Sequence, residues 1–365
     1  MVQNQQSSDT IKDFLDIWQK QFANSDNFTK IQNDNLVEKI FAGWNNLSGA
    51  TYKRKLDWAN EIWSEGSTRL FDYSPDKKNN SPIILFVPSL VNRSYILDLT
   101  EETSLTRYLA NENIVTYLLD WGSPQENELS MGVEDYVNRL QKVVKFLNNQ
   151  HNRPIILAGY CMGGILSLAV AQELSDMVEK IVFIATPWNF DVQDFKHIKF
   201  TNDISKAIEK SWDSLPYISA DVIKAWFCSN YPDLIARKFM RFVDLQIGSA
   251  EYEHALAIEE WSNNGVPLTI SVSKTCFIDW INDNKLYKEQ WLVNGKKLEP
   301  KKLKQPCFFA IAQRDCIVPP DCTNSLAQMV QISTIIRPDT GHTGMVAGMK
   351  GREKLWEPLL SWIKN

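Results

Sequence analysis

Residues 154–164, Pro-Ile-Ile-Leu-Ala-Gly-Tyr-Cys-Met-Gly-Gly, set a cysteine at the centre of a G-x-C-x-G signature. The apolar run before it reads as a buried strand, and the run ILSLAVAQEL after it reads as a helix. A cysteine on a tight strand-to-helix turn is suited to nucleophilic chemistry. Glycines at 159 and 163 leave room for neighbouring backbone, and the helix's first N–H groups face the oxygen of a reacting carbonyl. Cys161 is therefore the expected nucleophile of an acyl transfer, with the Met162 N–H as one oxyanion donor. A second donor is expected from the loop after the first strand of the sheet, at the Val91 N–H.

A thiol nucleophile needs a base, and the chain has four histidines, at 151, 197, 254 and 342. His151 precedes the nucleophile strand, on the side away from the turn, while His197 and His254 fall in an irregular stretch. His342, in Asp-Thr-Gly-His-Thr-Gly (339–344), follows the last expected strand. Asp315 stands just beyond the strand PCFFAIA and ahead of Ile-Val-Pro-Pro, so it is the expected acid that orients the base. Asp321 falls inside the following helix, and Asp339 is too near His342 in sequence. The order Cys161, Asp315, His342 along the chain is that of the α/β-hydrolase fold.

The elements that must position these residues alternate from about residue 81. Strands are expected at 82–87, 114–119, 154–158, 181–185, 306–312 and 333–337, with helices at 101–110, 133–148, 163–175, 320–330 and 351–364. Alternation of this kind implies a mainly parallel sheet with helices on both faces. Apolar spacing in the first 65 residues predicts three amphipathic helices: one through Ile11, Phe14, Leu15, Trp18 and Phe22, one through Leu36, Val37, Ile40, Phe41 and Trp44, and a third through Tyr52, Leu56 and Trp63. Residues 190–305, rich in Trp, Phe and Tyr, break the alternation and read as a helical cap over the site. The expected organisation is an N-terminal helical arm at 1–65, an α/β-hydrolase core at 66–189 and 306–365, and the cap at 190–305.

Composition narrows the partners. A net charge of −5 offers no basic surface for nucleic acid. The longest apolar run, 82–91, is too short to cross a bilayer, so no membrane span is expected. The opening residues MVQNQQSSDT carry no apolar secretory segment, which predicts a cytoplasmic protein. The six cysteines show no C-x-x-C pairing, so no metal site is expected.

Several motifs together resemble the polyhydroxyalkanoate synthase family, in the form of its class III catalytic subunit. They are Gly-Tyr-Cys-Met-Gly-Gly (159–164), Val-Asn-Arg-Ser-Tyr-Ile-Leu-Asp-Leu (91–99), Leu-Asp-Trp-Gly-Ser-Pro (119–124), Ala-Thr-Pro (185–187) and Asp-x-Ile-Val-Pro (315–319). The resemblance spans about 66–350 and implies polymerisation of (R)-3-hydroxyacyl-CoA into polyester, with CoA released and the chain carried as a thioester on Cys161. It implies no cofactor beyond the CoA thioester, which is the substrate. Cys316 stands where that family commonly has His, and GHTGMVAG stands where it has a GHI-type sequence. A cysteine-dependent acyl-CoA thioesterase or a polyester depolymerase on the same fold is the alternative. The CoA phosphates need a basic mouth, for which Lys296, Lys297, Lys301, Lys302 and Lys304, or Arg93, are the candidates. The resemblance also implies a second, non-catalytic subunit. The aromatic arm could dock that subunit, a second copy of the chain or the surface of a polyester granule.

Overall fold

The structure is a computed structural model that describes residues 34–74, 80–193, 212, 214–230 and 232–365. The helix expected through Ile11 and Phe22, and His197, lie outside the described residues. Two compact units emerge from the contacts: one ends at Thr51 and is completed by Tyr231–Ala255, and the other comprises Tyr52–Asn230 and Leu256–Asn365.

The larger unit is built on eight strands: β1 (Asn60–Glu65), β2 (Thr68–Asp72), β3 (Ile83–Val87), β4 (Val115–Asp120), β5 (Ile155–Tyr160), β6 (Val178–Ile184), β7 (Cys307–Ala310) and β8 (Ser333–Ile336). Their order across the sheet is β1-β2-β4-β3-β5-β6-β7-β8. From β4 to β8 every neighbouring pair is parallel, while β2 runs antiparallel to both β1 and β4. Residues of β3, β4 and β5 are buried throughout, as expected of central parallel strands covered on both faces. Each of the six strands expected from sequence is present within a few residues of its expected bounds.

The connecting helices follow the same pattern. With α1 the helix Asp34–Leu47 of the smaller unit, α2 spans Leu105–Asn111, α3 Val133–His151 and α4 Met162–Glu173 in this unit. Residues 162–171 of α4 are buried on every side, which explains why its sequence is apolar rather than amphipathic. A cysteine that opens this helix is therefore held by the centre of the molecule's core.

One expectation fails at the N-terminal side. The helix expected through Tyr52, Leu56 and Trp63 is absent: residues 52–59 have no regular secondary structure, Trp63 lies in β1, and the arm boundary placed at 65 falls inside the β1–β2 hairpin. Ladder pairing decides the matter: Glu65 opposes Thr68 across the two-residue turn Gly66-Ser67, and β2 pairs onward with β4. The spacing of three large side chains also fits a helix, but backbone groups at a sheet edge gain more from the ladder.

The 190–305 stretch carries helices as expected. They include α5 (Ala220–Asn230), α6 (Pro232–Val243) and α7 (Ala250–Asn263), then Ile270–Lys274 running into the π-helical Thr275–Asn282. Of these, α6 belongs to the smaller unit, where it packs on the helix Asp34–Leu47 with Trp44 against Phe239 (ring centroids 5.2 Å apart). The Asn46 amide caps the carbonyl of Phe242 at 2.8 Å, and the Tyr252 hydroxyl donates to the Asn46 carbonyl at 2.6 Å. The second expected N-terminal helix is thus present.

Candidate active site

Cys161 sits between β5 and α4 with φ 54° and ψ −128°, a conformation that a residue with a side chain adopts only under strain of about 1–3 kcal/mol. Two bonds hold it there. The Cys161 N–H donates to the Ile184 carbonyl (2.8 Å), and the Cys161 carbonyl accepts from Gly164 N–H (3.0 Å). A Cβ on Gly159 would collide with the backbone of Gly164, and one on Gly163 with the Val87 carbonyl. The signature's glycines are thus required by close backbone approach, which also brings the loop after β3 against the start of α4.

The expected base and acid meet. His342 Nδ1 lies 2.7 Å from Asp315 Oδ2, and both side chains are at least nine-tenths buried. The other carboxylate oxygen accepts the N–H groups of Ile317 (2.9 Å) and Val318 (2.8 Å). Asp315 is therefore aimed by a turn of its own backbone, of the kind an Asp two or three residues ahead of its donors makes. Burial alone would lower the His342 pKa, but the neighbouring Asp315 and Cys161 outweigh it and raise it well above the usual histidine range. Cys161 lies close enough to His342 to act on the charge of its ring. One histidine ring nitrogen thus serves the carboxylate, and the ring lies beside the thiol.

The rejected alternatives lie elsewhere. Asp339 is exposed and pairs with Arg314 (2.9 Å), and Asp321 lies in the helix Pro320–Ala327. His151 hydrogen-bonds the Tyr117 hydroxyl at 2.8 Å, behind the start of β5, and His254 belongs to the smaller unit. Among the described residues, no group of three or more His, Cys, Asp or Glu could hold a metal ion.

Met162 is the first residue of α4, so its N–H has no partner within the helix. The Val91 N–H donates to the Ser89 hydroxyl at 3.2 Å, and the Val91 carbonyl accepts from Val266 N–H at 3.0 Å. Tyr160, which the sequence reading passed over, packs its ring on that of His342 (centroids 5.1 Å apart), and its hydroxyl donates to the His342 carbonyl at 3.4 Å. Its place directly before the nucleophile was the only signal. Cys276 is buried with its sulfur 3.9 Å from that of Met162, and burial raises its pKa well above the usual thiol range. Burial likewise pushes Cys307 and Cys322 up to about 12.

The loop after β3 is fixed from behind. Asp98 is fully buried and accepts from Arg54 (2.6 Å), Arg107 (2.7 Å), Tyr73 (2.9 Å) and Ser104 (2.6 Å). Arg93 donates to the Ser123 hydroxyl (2.9 Å), and its carbonyl accepts from the Trp261 indole (2.8 Å). The lysine run is placed differently. Lys296 and Lys297 lie in a short hairpin whose 297 carbonyl binds Gln172, and Lys301 and Lys302 pair with Glu289 and Glu299. Gln172 is ten residues along α4 from Met162, about 15 Å of helix, so this run sits at the end of α4 away from Cys161.

Comparison with known proteins agrees with the architecture. The family model described as the alpha/beta hydrolase family matches residues 84–349. The poly(3-hydroxyalkanoate) polymerase subunit PhaC of Haloferax mediterranei is 24% identical over 308 residues, 83% of this chain and 63% of the relative. The chain thus spans less than two thirds of that relative's length. The same subunit of Allochromatium vinosum is 24% identical over 83% of this chain and 87% of its own length, and that of Synechocystis 24% over 90% and 91%. Among solved structures, the thioesterase domain from the curacin biosynthetic pathway matches with TM-score 0.52 at 12% identity, covering 84% of this chain and 99% of that domain. A monoacylglycerol lipase of Paleococcus ferrophilus matches with TM-score 0.51 at 14% identity, covering 81% and 98%. These two likenesses show the shared fold.

Proposed function

The chain belongs to the alpha/beta hydrolase family, and from that premise we propose that it polymerises (R)-3-hydroxyacyl-CoA into a polyester, with each acyl group carried on Cys161. The observation that carries the proposal is the Cys161–His342–Asp315 constellation in a chain whose relatives, over most of its length, are named poly(3-hydroxyalkanoate) polymerases.

In the first half-reaction the Cys161 thiolate attacks the thioester carbonyl, and the tetrahedral oxyanion draws on the Met162 N–H and the end of α4. CoA leaves as a thiol with the proton held by His342. In the second, His342 takes the proton of an incoming 3-hydroxyl, which attacks the Cys161 thioester. Asp315 holds the imidazole in orientation throughout. Cysteine suits this sequence because thioester exchange conserves acyl-transfer potential, and the oxoester formed next is the more stable product. A serine ester would be no more reactive than the bond to be made.

The reading of Val91 as a second oxyanion donor requires its N–H to turn from the Ser89 hydroxyl to the substrate, a bond weak enough at 3.2 Å to be exchanged. No helix among the described residues is long and apolar enough to cross a membrane. We place the protein in the cytoplasm or at the surface of its polymer granule, as a homodimer or with a non-catalytic subunit.

The test is incubation with (R)-3-hydroxybutyryl-CoA while free CoA thiol and product size are followed together. Polymer formed with CoA release supports the proposal. CoA release with only monomeric 3-hydroxybutyrate would make the protein a thioesterase, since water and a chain hydroxyl compete for the same acyl-enzyme.

A further inference from the structure

A cavity beside the loop after β3 takes no part in the chemistry derived above. It measures about 490 Å³, in the range of small-molecule sites. Asp120 at its lining ends β4, and the strand order β4-β3-β5 puts that end two strand spacings, about 10 Å, from the end of β5 that leads into Cys161. The cavity therefore opens on the carboxyl edge of the sheet, where ligands of open α/β sheets bind.

Its charges are unequally committed. Arg54 and Arg69 line it but are neutralised by Asp98 and Asp120. Arg93 meets the neutral hydroxyl of Ser123, and neither it nor the exposed Lys53 has a carboxylate partner among the described residues. Glu260 accepts the Tyr95 hydroxyl (2.8 Å) through Oε2, which leaves Oε1 for another donor, and the exposed Asn264 offers an amide. Trp58 and Tyr95 add aromatic wall. Two uncommitted cations, a carboxylate and an amide in one aromatic-walled cavity make up the recognition chemistry of a nucleotide: the cations for phosphate, the others for N–H and O–H groups of base and ribose.

We propose that this cavity holds the phosphoadenosine end of the CoA thioester, with Lys53 and Arg93 on its phosphates and Glu260 and Asn264 on its base and ribose. The inference rests on the reading of the substrate as an acyl-CoA. The pantetheine arm spans the separation to Cys161, so one bound molecule reaches both places. This also accounts for an acidic protein that accepts a highly charged anion without using its lysine run.

The test combines binding and rate on the full chain. Adenosine 3′,5′-bisphosphate, titrated by calorimetry, binds the wild type and binds at least about tenfold more weakly to Lys53→Glu and to Arg93→Ala, as loss of a charge-assisted contact requires. Lys53 is exposed, so Lys53→Glu reads the cavity without disturbing the fold. In parallel, the preference for 3-hydroxybutyryl-CoA over its N-acetylcysteamine thioester, which lacks the nucleotide, falls by a similar factor in both variants through KM. Absence of binding to the wild type, or affinity unchanged in both variants, overturns the assignment. If the wild type binds the bisphosphate yet cleaves neither thioester, the polymerase reading fails while the cavity assignment stands.

Discussion

Two of the aspartates buried in the larger unit, Asp98 and Asp315, are satisfied in opposite ways. Asp98 is enclosed by two arginines, a tyrosine and a serine. Asp315 meets no arginine or lysine among the described residues; one of its oxygens takes two backbone N–H groups and the other the ring of His342. A carboxylate saturated by fixed cations has no effect left to exert on a neighbour, so Asp98 can only lock the loop that follows β3. A carboxylate stabilised by backbone dipoles keeps its net charge, and that charge acts on the base. At Asp98 the buried charge is held by permanent cations, and at Asp315, the acid of the proposed mechanism, it is held beside a partner that titrates.

Substitutions at the two sites separate these roles. Asp315→Asn keeps the size of the side chain and removes the charge, so the rate of CoA release falls about 10²–10⁴-fold, while the thermal unfolding midpoint shifts little. Asp98→Ala does the reverse. It strands Arg54 and Arg107 without their carboxylate and destabilises the fold by about 3–5 kcal/mol, read by denaturant titration. Comparable loss of stability at both positions would erase the distinction.

The charge on Asp315 also has a pH signature. His342 titrates well above the usual histidine range in the wild type, and in Asp315→Asn its pKa falls because burial is then opposed only by Cys161. NMR of labelled histidine follows both. A raised folded pKa means that protonated His342 stabilises the fold fully below about pH 6.5, its unfolded value, and that this contribution is lost as pH rises through the folded pKa. The stability gap between wild type and His342→Gln should close in that upper window and not in acid.

Smaller effects come from a group at the edge of the site and from a surface pair away from it. Tyr160→Phe removes a long hydroxyl bond to the His342 carbonyl while keeping the ring contact, so it should cost less than about 1 kcal/mol and under about fivefold in rate. Glu289→Ala breaks the surface pair with Lys301 and should change stability by no more than about 0.5 kcal/mol.

The meeting of His342 with Asp315 was legible in the sequence, and the surroundings of Asp98 were not. Cys161 announces itself because a buried strand, two glycines and a helix must coincide around it. Asp315 and His342 follow from the ends of strands that are themselves apolar runs. Asp98 gives no such sign, since its partners come from positions 54, 73, 104 and 107, distant in sequence or unremarkable in type. The β1–β2 hairpin was missed for a related reason. Tyr52, Leu56 and Trp63 fit a helical face, and only Gly66, with φ +58° in a two-residue turn, marks the hairpin locally. The place of the lysine run was not legible because lysine clustering in sequence does not reveal that Gln172 anchors it at the far end of α4.

The central claim is that Cys161 carries the acyl group, and mass spectrometry of the protein during turnover tests it most directly. After brief mixing with (R)-3-hydroxybutyryl-CoA and acid quench, the account predicts a 3-hydroxybutyryl adduct that maps to the peptide containing Cys161, extends in 3-hydroxybutyryl steps, and is absent from Cys161→Ala. Turnover with the adduct on Cys316, or with full activity retained in Cys161→Ala, would contradict it.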